Sequence, residues 1–331
     1  MERLEHDFGK FCAAKHVVSS SNGTSAIHMA YLALGIGPGD EVIVPGFGFM
    51  AAANIALHVG AKPVFCEVDP RSWCMTAANA ETCINERTKA IVPIHSYGNV
   101  CDMDDLMELA RIHDLILFED AAEAIGSRYK GHMAGTIAEA GVYSFHATKT
   151  ITTGEGGAVT CHDPQLAERM RLFRSHGMGF KRYWHEVAGH NFRLANMQAA
   201  IGCAQLENME IILRERHRVY AKYLEMLLPF EGISMQHFST DVDPVVWAIA
   251  IKVDECMFRG GRDGLIKTLL DQGIETRPGF YSADTMSHIY GHQVLPVCRD
   301  LGQQVLSLPS SPVVTDEQIE FICNAMANAR S

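Results

Sequence analysis

Lys149 stands between a short apolar run and a glycine-rich turn in "SFHATKTITTGEGGAV", Ser144 to Val159. Most lysines are solvated, but an amine set at the end of a buried strand can form a Schiff base with a carbonyl compound and carry protons. Gly154, Gly156 and Gly157 permit a close approach of the chain beside it. Two further stretches could serve such an amine. Asp120 closes the apolar run "LILFED", where a carboxylate either caps the next helix or faces a cationic group. "SSSNGTSAIHM", Ser19 to Met29, is a small-residue loop that opens a helix. A helix start offers unpaired N–H groups and partial positive charge to a phosphate, and Gly23 would let the phosphate come close. The alternative there is plain capping by Ser21 or Thr24. Amine, acid and phosphate cradle together suit pyridoxal 5′-phosphate: the lysine forms the Schiff base, the acid pairs with the ring nitrogen, and the helix start holds the phosphate. The sequence has no G-x-x-x-x-G-K-[ST] loop for a nucleoside triphosphate, and no G-x-G-x-x-G after its first strand for a dinucleotide.

These residues need a scaffold that brings strand ends together. "EVIVPG", "KPVFCEV", "KAIVPI", "LILFED" and "VYSFH" read as short buried strands. Between the first four, and ahead of them, lie the helical patterns "TSAIHMAYLALG", "MAAANIALHVG" and "DMDDLMELARIHD", the first two closed by a glycine. The alternation implies βαβ units, a mostly parallel sheet with helices on both faces, and ligands at the carboxyl ends of its strands. "NMQAAIGCAQLENMEIILRERHRVYAKYLEML" reads as one long helix or two abutting ones. "VVWAIAIKV", "GGRDGLIKTLLDQG" and "DEQIEFICNAMANA" form a second, smaller α/β pattern. The division is placed at a large domain of residues 1–210 and a small C-terminal domain of residues 211–331.

Composition narrows the partners. The 331 residues carry a net charge of −11, which argues against a broad nucleic-acid or anionic-membrane surface. The ten cysteines include no C-x-x-C pair, and no apolar signal segment or bilayer-length run is present, so a reduced, cytoplasmic setting is expected. Sixteen histidines, among them His95, His146 and His185, show no zinc-site spacing, and no metal is expected.

The ordered stretches "LEHDFGKF", "GIGPGDEVIVPGFGFMAAANIAL", "VGAKPVFCEVDP", "IHSYGN", "FEDAAEAIGS", "SFHATKTITTGEGGAV", "HNFRLANMQAAIGCAQLE", "GIETRPGFY" and "LSLPSSP" resemble the DegT/DnrJ/EryC1/StrS family of pyridoxal-phosphate sugar aminotransferases. The resemblance implies fold type I, the aspartate aminotransferase-like architecture. It makes Lys149 the Schiff-base lysine, Asp120 the partner of the ring nitrogen, and Phe49 the aromatic stacked on the ring. Gly23, Thr24, Ser25 and the Ser144 hydroxyl would hold the phosphate, with Glu123 beside the ring. Asn191, in "HNFRLAN", would reach the phosphate from the neighbouring subunit, which makes the expected unit a homodimer with shared sites. Arg277, in "ETRPGF", either meets an anionic group of the substrate or forms a structural ion pair.

Within the family, "EDAAEAIGSRYKG", "KTITTGEGG" and "RYWHEVAGHNFR" look most like the perosamine synthase branch, which aminates a GDP-linked 4-keto-6-deoxy sugar with glutamate as donor. A UDP- or dTDP-linked keto sugar, an aminocyclitol, or regulation through non-catalytic nucleotide-sugar binding are the alternatives. The dehydratase branch carries histidine in place of the lysine, and Lys149 argues against it. Three departures stand out. Glu123 occupies a position where much of the family has glutamine, although the perosamine branch often has the acid. Gly48 removes the threonine hydroxyl of the usual "FTF". The resemblance also starts at "LEHDFGKF", without the preceding segment that helps cover the substrate site in relatives, so weaker substrate affinity is expected.

Overall fold

The computed structural model describes residues 1–288 and 293–330. Seven strands, β1 (His16–Ser20), β2 (Glu41–Pro45), β3 (Lys62–Cys66), β4 (Thr88–Ile91), β5 (Ile116–Asp120), β8 (Ala140–Ser144) and β9 (Gly157–Cys161), form one sheet in the order β1-β9-β8-β5-β4-β2-β3. The pairs β2–β3, β2–β4, β4–β5 and β5–β8 are parallel; β9 runs antiparallel to both β8 and β1. Side chains alternate across this sheet. Val42, Val44 and Phe118 enter one core with α2 (Gly23–Leu34) and α3 (Ala51–His58), while Ile43 and Leu117 enter a second with α1 (Glu2–Cys12) and α5 (Met103–His113). Strands buried on both faces read as unbroken apolar runs for this reason.

Helices α2 and α5 begin on Asn22 and Asp102, each of which accepts a backbone N–H with its side chain. The cap of α2 is therefore Asn22, not Ser21 or Thr24, because only the Asn22 carboxamide, in an extended residue, reaches back to Ser25 N–H at 2.7 Å. Helices α4 (Ala77–Glu81) and α6 (Pro164–Arg174) complete the βα layers. The 32-residue helical stretch is two helices, α7 (Asn196–Glu207) and α8 (Met209–Leu227), broken at Asn208.

A four-stranded antiparallel sheet follows, ordered β10 (Ile233–Met235), β12 (Ile249–Val253), β14 (Val305–Leu308), β13 (Arg277–Pro278). It packs on α8, α9 (Gly261–Leu270) and α11 (Asp316–Asn328) in a third core that includes Tyr223, Ile251, Leu269 and Ile322. Two features tie it to the first part of the chain. Leu295, Cys298 and Leu301, on or next to α10 (Pro296–Gln304), enter the core of the large sheet. A small sheet joins β6 (Arg128–Tyr129) and β7 (His132–Met133) to β11 (Val242–Asp243).

"VVWAIAIKV" is a strand only from Ile249 onward. Val245 and Val246 are buried ahead of it, with Val245 against Gly98 and Gly126. Gly98 has φ +101°, and a side chain there would collide with the Val245 carbonyl. The segment is thus drawn out of the sheet and delivered to the ends of the strands in the first. No helix among the described residues is long and apolar enough to cross a membrane.

Candidate active site

The carboxyl ends of β5 and β8 lie side by side, with Asp120 paired to Val142, and they present Asp120 and Ser144. Lys149 follows Ser144 through a turn in which its N–H bonds the His146 carbonyl at 2.9 Å. The start of α2 is pressed against the same edge. A Cβ on Gly23 would lie 3.1 Å from Ser144 Cβ, and one on Gly157 would lie 2.6 Å from the Asn22 carbonyl carbon. Glycines at both places let the helix start seat directly on the strand ends. Of the N–H groups at that start, Ser25 N–H donates to the Asn22 side chain; those of Gly23 and Thr24 have no intrahelical acceptor, an arrangement that could receive an anion.

Asp120 is 3% exposed and accepts a hydrogen bond from Ala122 N–H at 3.1 Å. Burial pushes its carboxyl up to about 6; the Ala122 N–H opposes the rise and the nearby Glu123 charge adds to it. Glu123, also 3% exposed, accepts Tyr97 N–H on Oε2 at 3.0 Å and faces Lys149 Nζ with Oε1 at 3.5 Å. Lys149 Nζ also lies 3.7 Å from the centroid of the Trp247 ring. Glu123 is thus the carboxylate in contact with the Lys149 amine, while Asp120 feels the charge of that amine without a salt bridge to it among the described residues. The α2 start, Asp120 and the turn that carries Lys149 are gathered at the carboxyl ends of β5 and β8.

The model of the DegT/DnrJ/EryC1/StrS aminotransferase family matches residues 1–327. The chain belongs to this family. It is 41% identical to the GDP-perosamine synthase of Caulobacter vibrioides, over 98% of this chain and 88% of that one. It is 35% identical to a pleiotropic regulatory protein of Geobacillus stearothermophilus, over 99% and 88%. Its fold superimposes on that of S. venezuelae DesV, determined in complex with a ketimine intermediate, with a TM-score of 0.92, 34% identity, and coverage of 99% of this chain and 88% of that one.

As a DegT/DnrJ/EryC1/StrS aminotransferase the chain is a pyridoxal-phosphate enzyme of mixed α/β architecture with a mostly parallel large sheet. Its own residues are compatible with that cofactor: Asp120 offers a buried carboxyl that could face a protonated ring nitrogen, and the Gly23–Ser144 contact keeps the helix start clear of side chains.

Other residues singled out in the sequence fall at different distances from this centre. Phe49 is 59% exposed and meets the edge of Phe280 at a centroid distance of 6.4 Å, so one ring face is free. Thr24 is exposed; the Ser25 hydroxyl is 3.3 Å from the Ser21 hydroxyl. Ser144 Oγ accepts His146 N–H at 3.3 Å. Asn191 is exposed, although the next residue, Phe192, accepts Ser21 N–H of the same chain at 2.7 Å. Arg277 is exposed on β13 beside Glu275 at 3.8 Å. It lines a cavity of about 840 Å³ together with Lys149, Arg216 and Trp247; Asp120, Glu123, Phe49 and the α2 start do not line it.

Arg216 and Trp247 lie outside the stretches that resemble the family, and Tyr97, although inside "IHSYGN", is not singled out by it for this site. Arg216 is buried, donates to the carbonyls of Trp247 (2.9 Å) and Lys149 (3.2 Å), and burial lowers its guanidinium to about 10. His95 is not a metal ligand but a buried anchor. Cys101 N–H donates to its Nδ1, so Nε2 carries the proton and donates to Glu119 at 3.0 Å. Glu119 also accepts the N–H groups of Gly135, Ile137 and Ala138, which braces the strand that presents Asp120. No cluster of metal-ligating groups occurs among the described residues.

Proposed function

We propose that this chain transfers the amino group of glutamate to C-4 of a GDP-linked 4-keto-6-deoxy sugar. The observation that carries the substrate class is near-full-length similarity to GDP-perosamine synthases, at 41%, 39% and 37% identity. The buried group of Lys149, Asp120 and Glu123 supports catalysis rather than binding alone.

Pyridoxal phosphate, when bound, supplies an electron sink for the pair released as a carbon–hydrogen bond breaks beside nitrogen. Lys149 Nζ removes the α proton of glutamate in the first half of the reaction and returns a proton to C-4 of the sugar in the second. Asp120 would stay ionised against the ring nitrogen, Gly23, Thr24, Ser25 and Ser144 would hold the phosphate, and Phe49 would cover one face of the ring. Glu123 steadies the ammonium form of Lys149 between proton transfers. Arg277 reaches an anionic group of the substrate from the cavity wall. Residues 1–210 hold the cofactor, and residues 211–331 close the substrate side. The ten cysteines have no disulfide partners, which suits the reducing cytoplasm.

Supplying glutamate with GDP-, UDP- and dTDP-linked 4-keto-6-deoxy sugars and weighing the products tests the substrate. The GDP sugar is expected to gain one amino group with a kcat/KM at least about tenfold above the others, a difference of about 1.4 kcal/mol. Preference for another nucleotide overturns the GDP assignment. Amination of none, with cofactor bound, overturns the enzyme reading in favour of a regulator of the kind named among the relatives.

The active unit is a homodimer in which Asn191 serves the partner's phosphate. Asn191 is exposed, and so are the apolar side chains of Phe180, Trp184, Met197 and Ile201 in the same stretch of chain, which burial against a second copy would suit. Mixing Lys149→Ala chains with Asn191→Ala chains is expected to create one site per mixed dimer with normal cofactor affinity. If mass measurement finds mixed dimers and no site binds more tightly than in the Asn191→Ala homodimer, Asn191 does not act across the interface.

A further inference from the structure

We propose that Trp247 and Glu123 form a seat that holds the amine of Lys149 whenever it is not covalently bound, and that Tyr97 sets both walls of the seat. The proposal rests on the reading of Lys149 as the Schiff-base lysine. It adds Trp247 and Tyr97 as positioning residues for the proton transfers.

The seat is visible in the contacts of one atom. Lys149 Nζ has the indole face of Trp247 at 3.7 Å on one side and Glu123 Oε1 at 3.5 Å on another, with its side chain 13% exposed. An ammonium over an indole face is held by the ring quadrupole, and the hold strengthens as water is removed. The charged groups around it are Glu123 and Asp120. The Arg216 guanidinium is turned to the backbone carbonyls of Lys149 and Trp247, and His95 to Glu119.

Neither wall is free to drift. Trp247 donates its indole N–H to the Thr148 carbonyl at 2.7 Å and its backbone N–H to the Tyr97 carbonyl at 3.1 Å. Its ring is stacked on Tyr97 at 15° and 6.3 Å, and Phe280 stacks on Tyr97 at 24° and 5.1 Å. Tyr97 has φ +59°, the left-handed region that a bulky residue seldom adopts without a reason. That conformation is the one in which the Tyr97 N–H reaches Glu123 Oε2 at 3.0 Å. One strained residue therefore supports the ring with its side chain and aims the carboxylate with its backbone. The loop that carries Lys149 is clamped to the same assembly through Thr148 and Arg216.

Across a full transamination the lysine amine would be displaced once, stay free while the cofactor carries the amino group, and return only as the aminated product leaves. A seat within one side-chain length keeps it from swinging into the 840 Å³ cavity that it borders. Trace acetylation at pH 8, mapped by mass spectrometry, reads this directly. It is run on the cofactor-free protein and on the enzyme converted by glutamate to its amine form. Trp247→Leu is expected to raise labelling of Lys149 about fivefold relative to Lys222, and Trp247→Phe, which keeps an aromatic face, about twofold. In single turnovers with glutamate, Trp247→Leu is expected to slow proton transfer about tenfold without slowing imine formation with added pyridoxal phosphate. Unchanged labelling in both variants overturns the seat, as does an equal rise at Lys149 and Lys222, which would signal general loosening. If the leucine variant does not fold, the phenylalanine variant decides by the same ratio. Failure of the underlying assignment shows separately, as a borohydride-fixed cofactor on a lysine other than Lys149.

Discussion

Lys149→Ala is expected to lower amination of the keto sugar by at least about four powers of ten, a barrier increase of about 5 kcal/mol or more. The change removes both the imine-forming amine and the base that moves protons, and groups acting as one unit are lost together. The fold is expected to survive, because Lys149 lies on a turn outside the hydrophobic cores. Circular dichroism should be unchanged and borohydride should no longer fix the cofactor to the protein. Turnover within a hundredfold of the unaltered enzyme would remove Lys149 from the chemistry. The variant also leaves Glu123 buried without its cation, so some loss of thermal stability at neutral pH is expected.

Asp120→Asn is expected to have two effects of opposite sign. With cofactor bound, losing the charge opposite the ring nitrogen should lower turnover about a thousandfold, equivalent to about 4 kcal/mol. Without cofactor the same change should stabilise the protein. The Asp120 carboxyl is raised from 3.8 to about 6 by burial, so the folded state favours its protonated form. A raised acid contributes stability that is complete below pH 3.8 and lost as pH climbs through 6. Above that the buried charge costs at most about 3 kcal/mol. The melting temperature of cofactor-free Asp120→Asn should therefore exceed that of the parent at pH 8, and the gap should close toward pH 4. A gap independent of pH, or turnover close to normal, would show that Asp120 is not a strained acid held for the ring.

Opposed effects of this kind are what a buried acid facing a bound cation should show. Its cost in the empty protein is recovered when a cation arrives, so cofactor affinity and fold stability are linked. Saturating pyridoxal phosphate should accordingly raise the melting temperature more in the parent than in the Asn variant.

How much of this was legible beforehand depends on the distance over which each feature is decided. The apolar runs that became β2, β3, β4, β5 and β8 could be read directly, because strands covered on both faces need uninterrupted apolar residues, and glycine marks the ends of α2 and α3. The order of motifs along the chain likewise determined the aminotransferase family, since each carries its local turn chemistry within a few residues. β1 and β9, "HVVSS" and "GAVTC", escaped that reading. Their small and polar residues are buried by the antiparallel pairing of segments about 140 residues apart, which no local period records. Asn22 became the cap of α2 in place of Ser21 or Thr24 because the backbone direction into the helix, set by seating on Ser144, decides which side chain reaches back. Trp247 looked like a strand residue, and only packing turned it aside. Val245 fills the space left by Gly98 and Gly126, β12 starts late, and the indole comes to rest over an amine 98 positions earlier in the chain. Sequence alone determined the parallel strands, most of the helices and the family, because these answer to neighbours within a few residues. Tertiary structure decided which distant side chains meet Lys149, because burial, charge pairing and stacking act through space between segments that the chain order keeps apart.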